Sequence, residues 1–217
     1  MNKLNCFIIV VILFSFLACK KKNEKITISG KVVDPMQNTT LSNVSISISG
    51  QKIENGTYNS NYSHIASTST DGNGEFSFEV KNENITNYRL SLNLNNYINE
   101  LIDIAQESLN VKEDNFQTYN LYPKSFLKIN LLNQNPHDGD DIIEYEISNG
   151  IRTCNQCCDD DKHRYIGDSI NKSVVCIIPG FQDVLIKWEV IRNSTPTTHS
   201  ENIYIQEFDT TEFNIYY

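Results

Sequence analysis

Beyond residue 25 the apolar residues of this chain fall at every second position, in run after run, and that period commits it to β-structure. Val44, Ile46 and Ile48 alternate with Ser45, Ser47 and Ser49. Phe76, Phe78 and Val80 alternate with Glu75, Ser77 and Glu79, and Tyr88, Leu90, Leu92 and Leu94 keep the same step. Successive side chains of a strand point to opposite faces, so each run offers one apolar face to a core and one polar face to water. The pattern returns in the second half. Phe126-Leu127-Lys128-Ile129-Asn130-Leu131 reads as a strand, and Ile143, Tyr145 and Ile147 alternate with Glu144, Glu146 and Ser148. Val184, Ile186, Trp188 and Val190 share a face, Ile203 and Ile205 continue, and Phe213, Ile215 and Tyr217 close the series. Val174 to Ile178 is a short buried strand.

Short strands separated by polar turns predict an all-β chain of two β-sandwich modules. Pro123 marks the boundary between a first module over residues 26–122 and a second over 123–217. About six strands in the second make an immunoglobulin-like arrangement one candidate. Two stretches fall outside the pattern. Residues 97–109 place Tyr97, Ile98, Leu101, Ile102, Ala105 and Leu109 at a helical period, which predicts a short helix. Residues 50–63 are polar and read as an insert.

Charge excludes one class of partner. The 217 residues carry 18 Lys+Arg against 27 Asp+Glu, a net charge of −9. Five of the bases and one of the acids precede residue 26, so the remainder carries 13 bases and 26 acids, a net of −13. Such a body repels a phosphate backbone, and nucleic acid is excluded as a partner. Asparagine occurs 28 times and takes over much of the turn-forming work of glycine. Seven of these residues (Asn38, Asn43, Asn55, Asn61, Asn84, Asn171 and Asn193) head Asn-x-Ser/Thr triplets, which reflect that abundance.

The first 18 residues have the layout of a removable leader. Met1-Asn2-Lys3 is a short positive start, and Phe7 to Leu17 is apolar except for Ser15. Eleven residues suit a signal-peptide core and are too few to cross a bilayer as a helix. The run ends in Phe16-Leu17-Ala18-Cys19, which resembles the lipobox of bacterial lipoproteins, with Phe16 where Leu is commoner. That resemblance implies cleavage before Cys19 and lipidation of its thiol. Residues 19–25 would then form a tether whose Lys20, Lys21, Lys22 and Lys25 sit against anionic headgroups. In the lipoprotein sorting scheme an Asp after the lipidated Cys signals inner-membrane retention. Lys20 stands there instead, which implies the outer membrane.

A second resemblance lies in the first module. Ile28-Ser29-Gly30-Lys31-Val32-Val33-Asp34, then Leu41-Ser42-Asn43-Val44-Ser45-Ile46, then Ser69-Thr70-Asp71-Gly72-Asn73-Gly74-Glu75-Phe76-Ser77-Phe78 is similar to a carboxypeptidase regulatory-like domain. The resemblance implies a transthyretin-like sandwich of about seven strands. Thr40 replaces the Pro usual before Leu41, and the polar stretch over 50–63 is additional. Gly30 marks a place where a side chain would crowd the backbone or a bulge is needed. Asp34-Pro35 opens a turn, and Asp71-Gly72-Asn73-Gly74 is a tight reversal rather than a calcium loop, because it lacks the later bidentate Glu.

Four cysteines remain besides Cys19 in the mature chain: Cys154, Cys157, Cys158 and Cys176. An even number in an exported protein reads as two disulfides. Pairing the adjacent Cys157 and Cys158 would make a strained ring, which leaves two connectivities. The alternatives are a four-cysteine zinc site, for which Cys176 lacks a neighbouring knuckle partner, and a redox pair at Cys154-Asn155-Gln156-Cys157. The disulfides would clamp an irregular stretch over 149–173. Asp159, Asp160 and Asp161 beside it, with Asp138, Asp140 and Asp141, read as solvated loops, with calcium binding as the alternative.

No catalytic motif stands out. His64, His137, His163 and His199 are the four histidines, and none begins the His-x-x-Glu of zinc carboxypeptidases. There is no Gly-x-Ser-x-Gly elbow and no phosphate loop. Transthyretin-like hydrolases end in Tyr-Arg-Gly-Ser, whereas this chain ends in Asn214-Ile215-Tyr216-Tyr217. The expectation is a non-catalytic envelope lipoprotein without a cofactor, held to the membrane by its lipid and contacting an envelope protein or a glycan. Trp188 and the tyrosine-rich strands are candidates for a stacking surface. The alternatives are a hydrolase on the transthyretin-like fold and a metal or redox module at the cysteines.

Overall fold

The strand pattern is realised in a computed structural model that describes residues 25–81, 84–148, 150–151, 154 and 156–217. The leader, Cys19 and most of the tether lie outside these residues. The first half forms β1 (Lys25–Asp34), β2 (Thr39–Thr40), β3 (Ser45–Glu54), β4 (Thr57–Ser69), β5 (Glu75–Lys81), β6 (Ile85–Asn93), β7 (Glu100–Ala105) and β8 (Asp114–Asn120). The second forms β9 (Lys124–Leu132), β10 (Ile142–Ser148), β11 (His163–Ile166), β12 (Asn171–Pro179), β13 (Gln182–Arg192), β14 (Thr195–Ile205) and β15 (Thr210–Tyr216).

Each half is a two-layer sandwich around its own core. In the first, β5 and β8 flank β1, with the short β2 at its end, and the facing sheet runs β4-β3-β6-β7. Ile26, Ile28, Phe76 and Phe78 meet Ile46, Ile48, Leu90 and Leu92 between the layers, and this cluster ends at Leu121. In the second half the sheets run β12-β9-β15 and β11-β10-β13-β14. Their core begins at Leu127 and includes Ile129, Ile143, Tyr145, Ile186 and Ile215. Burial that alternates strictly along β5 and β9 shows the period-two pattern acting as intended.

The two halves have the same topology. With the two-residue β2 set aside, each has seven strands among the described residues. The fourth, first and seventh form one sheet, and the third, second, fifth and sixth form the other. In both, the first and last strands pair in parallel, with Ser29 opposite Phe116 and Ile129 opposite Phe213. A constant-type immunoglobulin sandwich instead groups its first, second, fifth and fourth strands against the third, sixth and seventh. The immunoglobulin likeness of the second half therefore extends to its two layers and not to its strand order.

Four local readings change. Val174 to Ile178 is not a buried strand but part of the edge strand β12, with Val175 exposed. Residues 97–109 form no α-helix. They contain β7 and a single 3-10 turn at Gln106–Ser108. Paired apolar residues at 97/98 and 101/102 satisfy a helical period, but they equally fit an edge strand, and pairing with β6 decides between the two. The polar stretch over 50–63 is not a loop insert. It continues β3 into a hairpin with β4 through Asn55 and Gly56, both at positive φ (50° and 77°), the conformation that favours Asn-Gly. The stretch over 149–173 includes β11, which pairs with β10.

Gly30 is explained by crowding. A Cβ there would lie 2.4 Å from the Gln117 carbonyl oxygen and 2.5 Å from the Tyr119 ring, because β8 runs alongside and Tyr119 folds over the glycine. The oxygen belongs to the backbone and cannot turn aside. Gly30→Ala should therefore lower stability by about 1–3 kcal/mol, the usual cost of overpacking, read as a reduced urea midpoint with unchanged slope.

Candidate functional site at the module junction

The two sandwiches are joined with almost no slack. Only residues 121–123 separate β8 from β9, and their backbone is engaged on both sides. The Leu121 amide donates to the Val33 carbonyl at 2.9 Å, and the Tyr122 carbonyl accepts from the Ile98 amide at 2.9 Å. The Pro123 carbonyl accepts from the Gly180 amide at 3.0 Å, and the Lys124 amide donates to the Asn96 carbonyl at 2.8 Å. Side chains add to the seam. The Tyr97 ring meets Phe208 edge-on at 5.4 Å between centroids, and Gln37 Nε2 donates to Glu207 Oε2 at 3.0 Å. Tyr97 is held from below by buried Asp34, whose Oδ2 accepts from its hydroxyl at 3.2 Å. Burial first, and then the Asp34 carboxylate, push the Tyr97 phenol up to about 12.

This seam leaves a groove of about 730 Å³ between the modules. One wall is the end of β6, the connection to β7 and the start of β7, with Asn93, Asn95, Asn96, Asn99 and Leu101. The other comes from the second module: Phe126 of β9, Ile177 of β12, Phe208 of the turn before β15, and Cys154 and Gln156. Leu101 and Phe208 are exposed there, at 63% and 42%. Sequence reading did not assemble this site. Its one local signal was the density of asparagine over residues 93–99.

One cysteine, Cys154, sits on its rim. Cys154 is bonded to Cys157, with Cα atoms 5.2 Å apart, and Cys158 to Cys176, with Cα atoms 5.1 Å apart. This is one of the two connectivities left open by the sequence. The segment is fastened to β12 as well, since the Cys158 amide donates to the Ile177 carbonyl at 2.8 Å. With every described thiol in a disulfide, no cysteine joins a metal-ligand group among the described residues.

The acidic knots do not combine. Among the described residues the single ligand group is His137, Asp138 and Asp141. Asp141 is fully buried rather than solvated, a correction to the loop reading. Its Oδ2 accepts from Asn133 Nδ2 at 2.9 Å and from the His137 amide at 2.8 Å, and Arg192 Nε lies 3.6 Å away. Burial alone would raise this carboxyl, but those donors and Arg192 outweigh it and leave it below the ordinary range. The neighbouring guanidinium supplies the countercharge that a metal would otherwise bring.

The histidines form two carboxylate contacts. His137 Nδ1 lies 3.0 Å from Asp138 Oδ2, and His163 Nε2 lies 2.9 Å from Asp159 Oδ1. His137 Nε2 faces Asn193 Nδ2 at 2.9 Å, and His163 stacks on Tyr145 at 4.8 Å. Among the described residues no serine, threonine or cysteine is hydrogen-bonded to either ring, so neither contact forms a nucleophile-base arrangement. His199 stacks on Trp188 at 5.2 Å, and Trp188 meets Phe213 edge-on at 5.6 Å. Trp188 is therefore half-buried against the second core, in the middle of the interior strand β13.

No protein-family model matches the chain, and no curated protein sequence matches it. Solved structures give only distant likenesses. The Bacillus anthracis TIE protein is 13% identical with a TM-score of 0.35, covering 88% of this chain and 34% of that one. This chain thus spans about a third of its length. A DUF3823 family protein from Parabacteroides merdae is 14% identical with a TM-score of 0.32, covering 86% and 100%. GBS52, the minor pilin of Streptococcus agalactiae, is 10% identical with a TM-score of 0.33, covering 89% and 94%. Likenesses this weak carry no argument about function.

Two measurements test the supports of the second module. The Cys158–Cys176 bond closes a loop of sequence separation 18, against 3 for Cys154–Cys157. On loop entropy, replacing the first pair by alanine should cost about 3 kcal/mol and the second about 2 kcal/mol, compared by urea unfolding. Glu144, whose side chain is 8% exposed, accepts from Lys162 Nζ and Arg164 Nη1, each at 2.8 Å. The Lys162 hydrogen bond, aided by both cations, holds this carboxyl below its ordinary value. Its stabilising contribution is therefore present above the unfolded value of about 4.3 and is lost as pH falls through the lower folded value. Glu144→Gln should lower stability at pH ~7 and flatten its decline below pH ~4, measured as urea midpoints across that range.

Proposed function

We propose that this chain is a non-catalytic lipoprotein of the bacterial cell envelope. Residues 1–18 are removed, Cys19 carries the lipid, and residues 19–25 tether the body to the outer membrane. Two sandwich modules, over 26–122 and 123–217, then present a binding surface away from the bilayer. The first is of the carboxypeptidase regulatory-like type.

The observation that supports this reading best is the pairing of all four described cysteines as disulfides, which belong to an oxidising, exported compartment. The basic tether and the acidic body agree with it, since the lysines attract anionic headgroups while the body is repelled from them. The three-residue junction fits a module that holds a surface in a fixed attitude rather than one that opens and closes.

Intact mass of the chain purified from its native membrane tests the anchor. The expected mass is that of residues 19–217 plus acyl chains, with four thiols alkylated only after reduction. Cys19→Ser should leave the protein unacylated and move it to the soluble fraction. An unacylated wild-type chain, or one with thiols free before reduction, would overturn the proposal.

A further inference from the structure

We infer that the groove at the module junction binds a neutral oligosaccharide. This rests on the reading of the chain as an envelope binding module and names the site and ligand class. A sugar ring has an apolar C–H face and a rim of hydroxyls, each both donor and acceptor. A matching site needs flat apolar platforms beside groups that donate and accept in a fixed plane. Phe126 and Phe208 supply the platforms and Leu101 an apolar flank, from three separate segments. The wall between β6 and β7 supplies primary amides, each with two donors and an acceptor. At about 730 Å³ the groove lies within the range of ~300–1,000 Å³ usual for ligand sites, which favour domain interfaces.

Two further observations narrow the ligand. The side-chain amides of Asn93, Asn95, Asn96 and Asn99 make no hydrogen bond within the described protein. Elsewhere such amides are spent on structure: Asn115 Nδ2 donates to the Thr27 carbonyl at 2.8 Å and to the Asn110 carbonyl at 2.9 Å. Among the described residues Lys124 is the single charged residue lining the groove, its Nζ 5.5 Å from the Phe126 ring centre. A polyanionic glycan would find one cation there and a body of net charge −13 around it. A neutral chain meets no such penalty.

Isothermal titration of the mature chain tests this, in a detergent without a sugar headgroup. The probes are maltohexaose, cellohexaose, xylohexaose and chitohexaose, with polygalacturonate as the acidic comparison. At least one neutral probe should bind saturably. The pair Asn95→Ala and Asn99→Ala, and separately Leu101→Asp, should each weaken binding by about tenfold or more. Asn61→Ala, remote from the groove, should leave it unchanged. All these positions are exposed, and an unaltered melting temperature checks the fold. Binding of no neutral probe, preference for polygalacturonate, or affinity indifferent to the groove substitutions would each overturn the inference. Intact mass on the same sample separates the two proposals: an acylated chain that binds no probe removes the groove site and keeps the anchor, and an unacylated chain that binds through the groove does the reverse.

Discussion

The parallel pairing of first and last strands is the constraint on which the rest of this structure depends. A parallel pair cannot be made by a hairpin, so each module must complete its whole circuit before β8 can lie beside β1 or β15 beside β9. Closure in each half is therefore a long-range event, spanning 87 residues from Thr27 to Asp114 and 84 from Phe126 to Thr210. The strand that closes the first module is followed after three residues by the strand that opens the second. That continuity places the β6–β7 connection against the β12 side of the second module. The groove is a consequence of this short passage: a flexible linker of even a few residues would let the walls part.

Much of this architecture was legible because alternation reports which face of a strand is buried. The apolar positions of β3, β5, β6, β9, β10 and β13 stand in the cores where the period put them. Illegible parts share a physical reason. An edge strand is held on one side only and has less apolar surface to bury, so its pattern weakens. β4, β7 and β14 are edges with few buried side chains, and the period marks none of them fully, whereas the edge strand β5 keeps one fully buried face and reads plainly. In β14, residues 195–202 are exposed throughout, which leaves no alternation to find. Repetition of the topology was equally hidden, since it is written in strand order rather than in residues.

Buried acids mark another limit. Asp34 and Asp141 are both sealed from solvent, yet in the sequence they look like ordinary turn residues. Each replaces water with donors from its own neighbourhood: Asp34 Oδ1 takes the Met36 and Gln37 amides, and Asp141 takes the His137 amide and Asn133. A carboxylate with several such donors can afford burial where a lone one could not. The energetic decision depends on a loop closing over the side chain, which composition cannot report. The same loops place Tyr97 against Phe208 and Arg192 beside Asp141, so turns that look incidental set the geometry of the junction and of the distal end.

The cysteine segment shows how a wall can be built without a core. Between β10 and β11 the chain contributes Cys158 to the buried cluster but few other large apolar side chains. Burial alone would not fix such a stretch against the entropy of an irregular backbone. Two covalent bonds and the Cys158 amide supply the missing constraint, and all of them lead to β12 or to the segment itself. Ile177 and Cys154 are thereby brought to the same rim of the groove. Cysteine spacing announced the clamp but not what it clamps, because the opposite wall comes from the other module. The disulfides and the asparagines of residues 93–99, distant in sequence, thus belong to one structural unit.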